Sequence, residues 1–205
     1  MTRTKWFRSL AWGFFDPGGI VLWWLVQPTR HLHIASELAY EQLDESELVA
    51  KVHQRDRELK VNPPFTRTIA YTVGTPTIIS TEAKKPGFRG ETIGDRLAHY
   101  GLVVIPADDD HLNGWKRVQS LFRSDEHGDP WLTIDPSCEQ LTRALASGLR
   151  DEKHPDDVRS AAPALVALRY GAMSRPAPED VPTHIEYPEG TMGWYFQRAL
   201  AEASR

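Results

Sequence analysis

Three consecutive aspartates and a histidine, Asp108-Asp109-Asp110-His111, form the densest run of metal-capable side chains in the sequence. Asp16 and Glu37 add carboxylates near a turn and a strand end. Such groups offer hard oxygen ligands to Mg²⁺ or Mn²⁺. A two-metal site that cuts phosphodiesters needs several of them converging on ions ~4 Å apart. Adjacent residues seldom aim at one ion, so the plainer reading of the triple Asp is a solvated loop that caps the next helix. His31 and His33 share a strand face by the period of two, but no third ligand accompanies them, which favours a surface pair over zinc. Asp16 precedes Pro17 and reads as a turn residue. Arg67, Lys84, Lys85 and Arg89 gather around a Gly- and Pro-containing loop. They are the candidate nucleic-acid contacts, set against the plainer reading of a solvated loop.

The elements that must position these residues follow from periodicity and punctuation. Residues 6–15 read as a buried strand, 16–19 as a turn, and 20–26 as a second strand rich in branched and aromatic side chains. Residues 31–39 make a third, so the first 40 residues predict an antiparallel three-strand meander. Asp44 and Glu47 then form a reciprocal capping box for a helix whose apolar stripe is Leu48, Val49, Val52 and Leu59. Short strands follow at 67–73 and 102–107, with a helix from 92 to 100 between them, closed by Gly101. A helix at 114–122, a strand at 131–134 and a helix at 136–147 come next. A further helix spans 161–172, with Ser160 as its cap and Pro163 in its first turn, where the missing N–H costs little. Residues 188–204 end in a helix. This order predicts an α/β fold, a mixed sheet with helices on its faces.

Composition narrows the class. The chain's 205 residues, 40% of them hydrophobic, suffice for one domain with a substantial core. The apolar run at 20–26 is too short to span a membrane, which takes ~20 residues. The basic start, Met1-Thr2-Arg3-Thr4-Lys5, is not followed by the apolar stretch of a signal peptide. With Cys138 the single cysteine, no internal disulfide framework can form. The expectation is a cytoplasmic chain. A net charge of −4 argues against a wholly basic surface, although a local patch on an acidic body can still bind DNA. No Gly-x-x-x-x-Gly-Lys-Ser/Thr loop occurs, so the chain is not itself an ATP-driven motor.

An ordered series of short motifs carries a resemblance over residues 6 to 176. It runs through Trp12-Gly13 with Asp16-Pro17, Glu37-Leu38, Gly90-Glu91-Thr92-Ile93, and Gly101-Leu102-Val103-Val104-Ile105-Pro106-Ala107-Asp108. It continues with Asn113-Gly114-Trp115, Arg117-Val118, Pro130-Trp131-Leu132 and Cys138. It closes on His154-Pro155-Asp156-Asp157-Val158 and Ala167-Leu168-Arg169-Tyr170-Gly171. The series resembles the C-terminal nuclease domain of the large terminase subunit of tailed bacteriophages. That resemblance implies a ribonuclease-H-like fold over residues 1–176, with 177–205 as a C-terminal extension containing a helix. It also implies a family activity, cleavage of duplex DNA with Mg²⁺ or Mn²⁺ during genome packaging, and duplex DNA, the terminase motor or other packaging proteins as partners.

The sequence departs from the family where the metal is held. The family's first acid precedes Trp-Gly, where this chain has Ala11. Its second precedes a proline after the central strand, where Thr75 stands before Pro76. Its third region, acid-His-x-x-Asp, is matched by Ala162, Pro163 and Val166. No Asp or Glu precedes Asp16, and none occurs in 60–81 or 159–178, so a shift of register restores no carboxylate. The expectation is a nuclease-like domain with no catalytic or metal-binding residues and no cofactor, kept as a DNA-binding or assembly part. Two alternatives stand beside it. One is an active endonuclease built on the displaced acids Asp16, Glu37 and Asp108. The other is a protein-interaction module without DNA binding, with Trp23-Trp24 contributing to its surface.

Overall fold

In a computed structural model of the chain, residues 5–14, 18–62, 67–79, 90–147 and 162–175 are described. Asp16, Lys84, Lys85, Arg89, Ser160, the 154–158 motif and the 177–205 extension lie outside these residues. A six-stranded mixed sheet forms the centre, in the order β5-β4-β1-β2-β3-β6. β1 (Lys5–Ala11), β2 (Gly19–Val26) and β3 (Leu32–Tyr40) are the antiparallel meander. β4 (Ile69–Gly74) lies parallel to β1, β5 (Ile105–Pro106) parallel to β4, and β6 (Leu132–Ile134) parallel to β3.

Period-two alternation along β1 and β2 supplies a core on each side of this sheet. Trp6, Leu10, Val21 and Trp23 pack with α1 (Glu45–Glu58) and α2 (Ile93–His99). Phe7, Ala11, Leu22 and Trp24 pack with α3 (His111–Leu121), α4 (Glu139–Ser147) and α5 (Pro163–Met173). Trp23 and Trp24 are both fully buried, which corrects the expectation that they contribute to an interaction surface. Each faces one of the two cores, and each indole N–H is satisfied inside, by Asp56 and Ser9 respectively.

Several boundaries differ from the sequence reading for local reasons. β1 stops at Ala11 and not at 15, because the backbone turns back at Gly13, where a β-carbon would meet the carbonyl oxygen of Gly18. The strand read at 102–107 shrinks to two paired residues: Leu102 and Val104 turn into the core, and only Ile105 and Pro106 reach β4. α3 begins at His111, three residues before the start read from the sequence, because the Asp110 carboxylate accepts the Asn113 N–H, a cap within the aspartate run read as one. α4 starts at Glu139, after Asp135 has folded 135–138 into a turn by accepting from Ser137. α5 has Ala162 at its N-cap, with no side-chain cap, and Pro163 in its first turn as read. The Asp44–Glu47 box and the Gly101 terminus, with φ +99°, form as read.

α5 approaches the sheet closely because Gly171 has no side chain. A β-carbon there would lie 2.3 Å from Cζ2 of Trp24, inside a fully packed core. Gly171→Ala is expected to cost about 1–3 kcal/mol through overpacking. The measure is a lower urea midpoint at unchanged m-value, and an unchanged midpoint would show that α5 can shift freely.

Candidate functional site

The parallel strands β1 and β4 end side by side, and this is where the family's carboxylates would converge. The Trp12 N–H donates to Thr75 Oγ1 at 2.9 Å, and the Thr75 N–H donates to the Leu10 carbonyl at 3.1 Å. Ala11 is buried at the end of β1. Val166, on α5, packs against the small cluster of Val73, Ala107 and Tyr170. The three positions where the sequence resemblance leads one to expect acids thus carry a methyl, a hydroxyl and an isopropyl. The hydroxyl is already engaged by backbone. Two divalent ions need anionic oxygen donors, so this donor set does not fit the family's metals.

The triple aspartate divides into three separate tasks. Asp108 accepts the Asp110 N–H, and Asp110 caps α3. Asp109 accepts from Arg169 Nη2 at 2.6 Å and from the Tyr170 hydroxyl at 3.2 Å. Arg169 is buried, and its Cγ and Cδ run across Gly114, where a β-carbon would leave them less than 3 Å. Burial pushes the Tyr170 phenol up to about 12, Asp109 adds to the rise, and Arg169 and Thr75 oppose it. Glu37 is occupied elsewhere. Its carboxylate accepts the Gln140 and Leu141 N–H groups at 2.7 and 2.9 Å and so caps α4. Glu37 on β3 and Asp108 beyond β5 are four strand spacings apart, roughly 19 Å at ~4.8 Å each. Those two acids do not converge on one ion. His31 bonds Thr29 and pairs with Asp125, while His33 bonds Thr133, so the two imidazoles have different partners. Among the described residues, no group of three or more His, Cys, Asp or Glu side chains is arranged to hold a metal ion.

On the other face of the sheet lies a polar cluster that the sequence reading missed. Arg8, from β1, donates Nη1 to Asp56 Oδ2 at 3.0 Å and Nε to Thr72 Oγ1 at 3.1 Å. Asp56 also accepts from Trp23 Nε1 and Asn62 Nδ2, both at 2.8 Å. Burial lowers the Arg8 pKa from its ordinary value and Asp56 pulls it back up. The available signal was an arginine in the middle of an otherwise apolar strand, WFRSLA. Arg67, read as a DNA contact, is exposed beside this cluster, and its carbonyl accepts the Asn62 N–H.

No protein-family model matches the chain, and no curated protein matches it. Among solved structures it is similar to the P22 large terminase nuclease domain, at a TM-score of 0.61 and 13% identity, over 83% of this chain and 81% of that one. It is also similar to the g2p large terminase nuclease domain of bacteriophage SPP1 with bound Mn, at a TM-score of 0.48 and 13% identity, over 81% and 84%. The P22 likeness bears out the fold read from the sequence: a ribonuclease-H-like mixed sheet flanked by helices, as in large terminase nuclease domains. Among the described residues, no helix is long and apolar enough to cross a membrane.

The Tyr170 phenol gives the site an alkaline signature. Its value of about 12 stands above the ~10 of an unfolded tyrosine. A raised folded pKa means stability that is full below the unfolded value and lost as pH rises through the folded one. Stability is therefore expected to fall between about pH 10 and 12, and Tyr170→Phe to remove part of that fall. Tyr40, also raised by burial, keeps its own share. Urea midpoints measured across the alkaline range decide this, and superimposable curves for the two proteins would refute it.

Proposed function

We propose that the chain is a nuclease-like domain of the phage large-terminase type whose metal-binding acids have been replaced, retained as a DNA-binding or assembly part of a packaging apparatus. The observation that carries this reading is that β1 and β4 end side by side near α5, with Ala11, Thr75 and Val166 where the sequence resemblance leads one to expect the acids. Apolar packing there removes the mutual repulsion of clustered carboxylates, so the fold needs no ion to hold that corner together. Leu168, Arg169 and Tyr170 remain buried on α5, which fits a framework maintained for something other than cutting.

In this reading residues 1–176 form the nuclease-like domain and 177–205 an extension with a helix. The chain works in the bacterial host cytoplasm, where its partners are duplex DNA and the terminase motor or other packaging proteins. Arg67, Lys84, Lys85 and Arg89 are the DNA contacts, a basic patch on an otherwise acidic body. The displaced-acid alternative finds little support, because Glu37 caps α4 and lies across the sheet from Asp108.

Supercoiled-plasmid cleavage with Mn²⁺ tests the catalytic half. The folded parent is expected to leave the plasmid intact. A variant carrying Ala11→Asp, Thr75→Asp and Val166→Asp is expected to gain Mn²⁺ binding by calorimetry. Cleavage by the parent that disappears in an Asp16→Ala, Glu37→Ala, Asp108→Ala variant would overturn the reading in favour of a relocated active site. For the binding half, replacing Arg67, Lys84, Lys85 and Arg89 by alanine is expected to weaken duplex DNA binding at low salt. The log–log salt slope should fall by about 0.9 per lost phosphate contact. A parent that binds no DNA at low salt would favour the protein-interaction reading.

A further inference from the structure

A cleft opens on the α1 face of the sheet, away from the corner where β1 and β4 end. It encloses about 560 Å³ and is walled by α1, β4 and the connection from α2 to β5. Its origin is topological. β5 pairs only with Val73 and Gly74, so the outer edge of β4 from Ile69 to Thr72 has no neighbouring strand among the described residues. The β1–β4 register also slips between Trp6 and Arg8, which places an irregularity in β4 beside the cleft. Bulges of this kind re-aim side chains and commonly sit beside functional sites. Asn62, on the cleft wall, holds a left-handed φ of 65°.

The polar groups of the cleft favour an anion. Arg8 lines it and is only 6% exposed. Its Nε and Nη1 are held by Thr72 and Asp56. Its Nη2 has no hydrogen-bond partner among the described residues, yet is not one of the buried atoms sealed without a partner. Asp56 pairs with Arg8 and lies 3.7 Å from His53 Nδ1, and its oxygens also accept from Trp23 and Asn62, so one carboxylate faces two arginines and a histidine on the cleft wall. His53 and Arg57 stand on the α1 wall, with Arg57 exposed. Val61, Ile69 and Val103 add apolar surface beside these donors.

We propose that this cleft binds a phosphate monoester of mononucleotide size, with Arg8 Nη2 as the inner donor and Arg57 and His53 at the rim. The volume falls in the range of ~300–1,000 Å³ typical of small-molecule sites. A guanidinium fork held on two sides offers its remaining edge to a phosphoryl oxygen in a fixed geometry. A phosphate inside a duplex is esterified on both sides and cannot reach a donor this deeply placed, whereas a terminal monoester can. Its source is either a free nucleotide or the phosphorylated end of a DNA strand. The site does not rest on the nuclease-corner reading: Arg8, His53 and Arg57 lie outside that corner, although Tyr71 lines the cleft and also packs against the Val73 cluster.

Calorimetric titration of the full chain with thymidine 5′-monophosphate, with thymidine as the control, is the test. Saturable binding of the monophosphate and none of the nucleoside is expected. Arg57→Ala and His53→Ala are on exposed or half-exposed positions and should keep a cooperative melt while weakening binding about fivefold. Arg8→Lys keeps a charge opposite Asp56 but loses the fork, and should weaken binding at least about tenfold. Competition by a 5′-phosphorylated oligonucleotide, but not by its 5′-hydroxyl form, would support the site and assign it to DNA ends. Monophosphate binding without competition by either would support it as a free-nucleotide site. Absence of saturable binding by the parent, or equal binding by the folded Arg57→Ala and His53→Ala variants, would overturn the proposal.

Discussion

The Asp56 carboxylate is the interaction on which one half of the molecule depends. It is buried at 2% exposure and receives hydrogen bonds from β1 through Arg8, from β2 through Trp23, and from the chain after α1 through Asn62. A lone carboxylate there would pay a desolvation cost of several kcal/mol. Three donors, one of them a guanidinium, offset it, and in doing so they fix how α1 sits on the sheet. The backbone follows the same logic. Asn62 turns left-handed so that its amide can reach Asp56 while its Oδ1 accepts the Ile69 N–H, and the start of β4 is thereby set relative to the end of α1.

The opposite face relies on close approach in place of charge. Gly171 lets α5 settle onto the Trp24 indole, and Gly114 lets the Arg169 stem pass between α3 and α5. Dense packing of this kind tolerates little added volume. It also explains how the corner beneath α5 stays ordered without anionic ligands. Val166, Val73, Ala107 and Tyr170 fill the space, and the one strong charge pair nearby, Arg169 with Asp109, is turned outward at the half-exposed carboxylate.

These two solutions give the two faces different chemical potential. The α5 side is sealed around residues that cannot neutralise a divalent cation. The α1 side stays open along the unpaired edge of β4, with a buried guanidinium on its wall. A short β5 is the cause: in the parallel register the partners of Ile69–Thr72 would be the residues before Ile105, where Leu102 and Val104 turn into the core and Val103 faces outward. One topological shortfall thus leaves Arg8 on the wall of an open cleft.

Much of the architecture was legible in the chain. Alternation of large apolar residues in 6–11 and 20–26 announced strands buried on both faces, and the Asp44–Glu47 spacing announced its helix, because local backbone groups must be satisfied by near neighbours. The absence of Asp and Glu before Asp16, in 60–81 and in 159–178 is likewise a property of the sequence alone. What the tertiary structure decided was partnership. Glu37 stood among the displaced acids of the alternative reading and is the cap of a helix 103 residues away; Asp109, in a run read as a solvated capping loop, is the counterion of Arg169; Arg8 carried no motif and joins Asp56 across 48 residues. Sequence periodicity tells which face a side chain points to, but not what stands opposite. That depends on the strand order and the docking of helices, where a buried charge must find whichever complement the assembled fold brings within hydrogen-bond reach.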